Sequence, residues 1–148
     1  MRNGAQRLRD RNRLAATNPG DVVVTLSRYS EIQTQSARAQ QIYAILCGLA
    51  YNRQSITYGG LAEVVGFAGA GVFAGMLGEI MHWCAENRLP PLTVLVVNGT
   101  TGLPGEGLTT PEDVHAEREM VFNYDWYDLV APTAAELDAA NDRAREAV

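Results

Sequence analysis

The chain has 148 residues, 47% of them hydrophobic and 20% charged, with a formal net charge of −5. That length suits one domain with its own core, and no apolar run approaches the roughly 18 residues that a membrane span needs. The arginine-rich start lacks the apolar stretch of a signal peptide, so the composition points to a cytoplasmic protein without a membrane partner.

Charge is spread unevenly. Residues 1–20 carry Arg2, Arg7, Arg9, Arg11 and Arg13 against Asp10, whereas residues 111–148 carry three arginines against ten acids; lysine is absent throughout. Residues 1–20 are polar and end in Asn18-Pro19-Gly20, which predicts a flexible basic arm ahead of a globular domain over 21–148. Such an arm can hold phosphates by counterion release, remain solvated, or pack on the acidic end of its own chain.

Asp21 to Leu26 is a short β-branched run that predicts an edge strand. Ile42, Ile45, Leu46 and Leu49 repeat at helical spacing, so a core-facing helix is expected from about Gln33 to Tyr51, capped by Ser30 or Thr34 and ended by Asn52. Next comes Ser55 to Gly66, read as a strand end, an N-cap at Thr57 and a short helix. Leu61, Val64 and Val65 form its apolar face and Gly66 is a left-handed stop. Residues 67–75 are too rich in glycine and alanine for a firm helix start. From Phe73 the stripe Phe73, Met76, Leu77, Ile80, Cys84 predicts a helix that ends near Asn87, with Glu79, His82 and Glu86 off the stripe. Cys47 and Cys84 read as buried free thiols and not as a disulfide or metal pair.

Leu92 to Val97 is the best strand candidate, apolar enough to be buried on both faces. Asn98 to Gly102 is a turn, and Leu103 to Leu108 returns alongside as a short irregular strand or wing. Its glycines lack the strand-to-helix setting and the GK[ST] of a P-loop. Thr110-Pro111-Glu112-Asp113 opens a helix that runs to about Met120. Val121 to Leu129 holds four aromatics and packs as strand or loop. Thr133 and Glu136 form a capping box for a last, weakly amphipathic helix that either frays or serves a partner. The fold class is α+β: a winged-helix-like helical core, a short β-hairpin or small sheet, and additional C-terminal helices.

Ile42-Tyr43-Ala44-Ile45-Leu46, Ile56-Thr57-Tyr58-Gly59, Leu61-Ala62 and Gly66 resemble the DNA-binding and active-site domain of O6-alkylguanine-DNA alkyltransferases. Gly75, Asn87, Pro90 and Leu92 follow more loosely, so the likeness covers about residues 42–108. It implies a winged-helix fold and a Tyr58 that presses on a DNA backbone. The family's arginine finger falls on Val72 here. Its Pro-Cys-His-Arg motif falls on a strand that reads Val94-Leu95-Val96-Val97, so the resemblance does not carry alkyl transfer. The run from Ser27 to Leu108 and on to VFNYDW also resembles small uncharacterised bacterial proteins of this layout, a likeness that implies no function.

Three functions stay open on these residues. The first is a non-catalytic module that binds nucleic acid through Arg2, Arg7, Arg9, Arg11 and Arg13, helped by Arg53, Tyr58 and Arg88; one continuous stripe of the arm with Arg28, Arg38, Arg53 and Arg88 would favour it. The second is a protein-interaction adaptor or inhibitor that uses the acidic C-terminal helices or the aromatic patch around Trp126 and Tyr127. The third is an enzyme of unknown reaction with His115, Glu112, Glu117 and Glu119 near its cleft. No cofactor, metal site or catalytic residue is expected, since that cluster reads better as a solvated helix face.

Overall fold

The structure is a computed structural model that describes residues 25–105 and 113–147. Five α-helices and one two-stranded parallel sheet make up the described residues: α1 Gln35–Tyr51, β1 Ile56–Thr57, α2 Tyr58–Val65, α3 Phe73–Glu86, β2 Val96–Val97, α4 Val114–Asn123 and α5 Ala134–Glu146. The class is therefore α+β. No described helix is long and apolar enough to cross a membrane.

Helix α1 starts without a side-chain cap from Thr34. Its first turn is held instead by Glu79 of α3, whose carboxylate accepts from Gln35 Nε2 at 2.7 Å and Ser36 Oγ at 2.5 Å. A carboxylate here meets the free amide end of α1, where negative charge is favoured. Glu79 is thus fully buried on the flank of the α3 stripe, not outside it as its polarity suggested. Gly75 belongs to the same device, because a Cβ there would collide with the Gln35 side-chain amide. Farther along, Tyr43 meets Trp83 edge-on at 5.5 Å, so α1 and α3 run in the same sense.

A 3-10 turn at Ala70–Val72 leads into α3. Phe73, Met76, Leu77, Ile80 and Cys84 are all buried, as their spacing predicted. Helix α2 follows its expected outline: Thr57 Oγ1 accepts from Gly60 N and Gly66 sits at φ 82°. Its face is narrower than expected, since Leu61 and Val65 are buried while Val64 is 60% exposed. Val64 instead lines an open pocket with Ser27, Arg28, Tyr29 and Ser30.

The run Leu92–Val97 is buried throughout, yet only Val96 and Val97 form strand, paired in parallel with Ile56 and Thr57. Leu92–Leu95 is a 3-10 turn in which Val94 N donates to Pro91 O at 3.0 Å. Two causes shorten the strand. Pro90 and Pro91 donate no ladder bond, and the partner strand ends where α2 begins. Burial was legible from apolarity; strand length was set by the partner. The following turn is built on Asn98, whose Oδ1 accepts from Thr100 N at 2.8 Å and Thr101 N at 3.2 Å. The described part of the return lies antiparallel to β2 through one bridge, Val97 to Pro104, and residues 106–108 lie outside the described residues.

The predicted edge strand over 21–26 lies outside the described residues except for Thr25 and Leu26, which are not strand. The helix start at Thr110-Pro111-Glu112 also lies outside them. Helix α4 continues three residues past Met120, to Asn123. Helix α5 has the predicted capping box, and Leu137 and Ala140 are fully buried against α1 and α3. Arg143 makes a bidentate bond to Glu86 at 2.7 and 2.9 Å. This helix therefore spends its apolar stripe on its own core and presents Glu136, Asp138, Asp142 and Glu146 outward.

Candidate functional site

Around Tyr58 the polar groups are satisfied within the chain. The Tyr58 hydroxyl accepts the Gly105 amide at 3.1 Å, which ties the start of α2 to the glycine-rich loop. Arg53 and Arg88 hold matching positions. Asn52 and Asn87 end α1 and α3, and each caps the carbonyl four residues back, Gly48 O at 3.0 Å and Trp83 O at 2.9 Å. Arg53 and Arg88 follow at φ 54° and 55°. The amides of Arg53 and Gln54 bond Ala50 O and Leu49 O, and those of Arg88 and Leu89 bond Ala85 O and Cys84 O. Both helices therefore end in the same reverse turn, with arginine at the left-handed position that glycine usually fills.

Among the described residues, Arg28, Arg38, Arg53 and Arg88 do not form one exposed stripe. Arg38 is buried, donates from Nη2 to Val65 O at 2.6 Å, and lies 4.4 Å from the centre of the Phe67 ring. Burial lowers its pKa from the ordinary guanidinium range. Arg53 is held by both oxygens of Glu119 at 2.7 and 2.8 Å and lies 4.9 Å over Phe122. That bond holds the exposed Glu119 carboxyl below its usual pKa. Arg28 is half-buried and Arg88 exposed. Arg2, Arg7, Arg9, Arg11 and Arg13 lie outside the described residues. Glu112 of the His115 cluster also lies outside them, and Glu119 is engaged by Arg53.

Cys47 and Cys84 are buried and unbridged. Burial pushes the Cys84 thiol up to about 12 and the Cys47 thiol in the same direction, so both stay protonated at neutral pH. Reactive cysteines need the opposite, an exposed thiolate beside a cation. Thr93 is buried, and its hydroxyl has no hydrogen-bond partner among the described residues.

The open chemistry lies at the other end of α1. The turns after α4 fold back on the last turns of α1 and frame a cleft of about 350 Å³ lined by Cys47, Tyr51, Phe122, Asn123, Tyr124, Asp125, Trp126 and Tyr127. Trp126 is buried and anchored by its indole N–H to Val121 O at 2.9 Å. Tyr124 rests against it at 4.7 Å. Tyr127 lies across α1 where Gly48 leaves room, a Cβ there standing 3.4 Å from its hydroxyl, and its ring meets Tyr51 at 5.5 Å. Tyr51 is 74% and Tyr127 63% exposed. Asp125 closes the rim, its Oδ1 accepting the Asp128 amide at 3.3 Å. The aromatic patch around Trp126 and Tyr127 was legible from its composition. The contribution of Tyr51 was not, although an aromatic immediately before a polar helix stop was the available signal.

No family model, no curated protein and no solved structure matches the chain.

Proposed function

We propose that the chain is a non-catalytic binding module with a winged-helix-like core, and that its globular body is a protein-interaction adaptor that works through the Tyr51–Tyr127 cleft. The observation that carries this reading is the pair of exposed tyrosines that touch each other and line one cleft with a buried tryptophan at the edge of the core. Aromatic anchors with a rigid backing and a polar rim are what protein interfaces concentrate, because they bury large area at small entropic cost. The neutral, buried thiols favour a role without nucleophilic catalysis. Outside residues 1–20 the chain is acidic, and α5 presents Glu136, Asp138, Asp142 and Glu146 outward, a sign of charge that suits a basic partner.

A photo-cross-linker placed at Tyr127 in cells tests the reading. The expected adducts are protease-sensitive, nuclease-resistant, and lost when Tyr51→Ala is added. Nuclease-sensitive adducts would assign the cleft to nucleic acid instead.

A second reading has its own observation. Residues 1–20 hold five arginines on a chain that is otherwise acidic. Any affinity for nucleic acid then resides in Arg2, Arg7, Arg9, Arg11 and Arg13 and is weak and sequence-tolerant, since Arg53 and Tyr58 are engaged internally. This fits the order helix, short helix, helix that resembles the alkyltransferase domain, but without its finger or its nucleophile.

A further inference from the structure

We propose that the aromatic cleft takes the guanidinium of an arginine presented by a partner protein. This deepens the adaptor reading and rests on it. The rings of Tyr51, Tyr124 and Tyr127 supply negative π faces, and Asp125 supplies a carboxylate at the rim. A cation beside aromatic faces gains about 0.5–2 kcal/mol, and arginine gains most often because its flat, weakly hydrated head stacks. The molecule already uses this contact twice, at Arg38 on Phe67 and at Arg53 on Phe122. Phe122 forms one wall of the cleft, and the charge of Arg53 on it is neutralised by Glu119. The field around the site has the matching sign. Asp125 and Asp128 are exposed on the same turn, and residues 111–148 hold ten acids against three arginines. Phosphate would be repelled here, which separates this cleft from a base-stacking platform for single-stranded nucleic acid. The volume of about 350 Å³ admits one arginine side chain and not a folded segment. The buried Cys47 thiol at the floor stays neutral and offers the cation no ion pair, so Asp125 sets the charge preference.

The test uses the full chain and the indole N–H resonance of Trp126, titrated with a nine-residue peptide containing three arginines. Its counterpart with citrulline has the same shape and no charge. The expected result is at least tenfold weaker binding of the citrulline peptide, with about three- to thirtyfold loss in Asp125→Asn and in Tyr127→Ala. Unchanged urea midpoints in both variants would show that the fold is kept. Equal binding of the two peptides, or tighter binding of a glutamate peptide, would overturn the guanidinium assignment and leave the adaptor reading standing. Binding of oligothymidylate but of no peptide, lost in Tyr127→Ala, would overturn the adaptor reading itself. Absence of any ligand effect would overturn the inference. A tighter arginine-peptide affinity after Arg2, Arg7, Arg9, Arg11 and Arg13 are changed to glutamine would show the cleft occupied by the chain's own arm, and would overturn the partner source.

Discussion

From Thr57 to Gly66 the hydroxyl of Thr57 caps α2, the hydroxyl of Tyr58 holds the Gly105 amide, and Leu61 is fully buried. From Val121 to Val130 one ring is anchored, while Tyr127 and Val130 stand 63% and 88% exposed. Both segments carry aromatic and polar groups of the kind that recognition uses. The first satisfies them inward and builds the scaffold; the second leaves ring faces and a carboxylate exposed. A recognisable sequence pattern thus marks where the chain must fold correctly, and the open surface is found where the groups are not already paired.

The sharpest way to break this contrast is truncation. Leu61→Ala should cost about 2–5 kcal/mol in urea unfolding, whereas Tyr127→Ala should stay within about 0.5 kcal/mol. Equal costs would mean that the two segments are equally structural. Alkaline unfolding probes the core next to both. The folded-state pKa of Cys84 lies up at about 12, above its ordinary value, so the folded form keeps a proton that the unfolded chain releases. Its contribution is fully present below about pH 9 and declines as pH rises toward about 12, on the order of 2–4 kcal/mol in all, a trend that Cys47 and Tyr43 reinforce. A Cys84→Ala chain should show a flatter slope over that range.

Smaller effects sharpen the same comparison. Glu79→Ala strands the Gln35 and Ser36 donors and should cost about 2–3 kcal/mol, with Glu79→Gln recovering part of it. Thr57→Ala removes the α2 cap and should cost about 1 kcal/mol by thermal unfolding. Arg88→Gly relieves a left-handed arginine and should stabilise by less than about 1 kcal/mol.

The helices were legible because their periodicity and stop signals are local. Thr57, Gly66, Asn52, Asn87 and the Thr133–Glu136 box each act within one turn of where they stand. What escaped a reading of the sequence depends on distant partners. Glu79 is buried because the end of α1 arrives 43 residues away in sequence, from Ser36. Leu92–Val97 is a strand for only two residues because β1 is that short. Arg38 was grouped with exposed arginines, and only the fold shows Val65 O and Phe67 waiting for it. The cleft was half visible: four aromatics lie together in the sequence, but Tyr51 comes from a helix some 70 residues earlier, and no local pattern joins them.

The claim that the Tyr58 face is scaffold, and not a contact surface, is tested most directly by salt-dependent oligonucleotide binding. The full chain is compared with a chain in which Arg2, Arg7, Arg9, Arg11 and Arg13 are changed to glutamine. Duplex DNA should bind the full chain weakly, with a log–log salt slope no steeper than about −4 to −5, and the substituted chain should lose both the affinity and the slope. A substituted chain that binds as tightly as the full one, and loses that affinity on Tyr58→Ala or Arg88→Gln, would contradict the account.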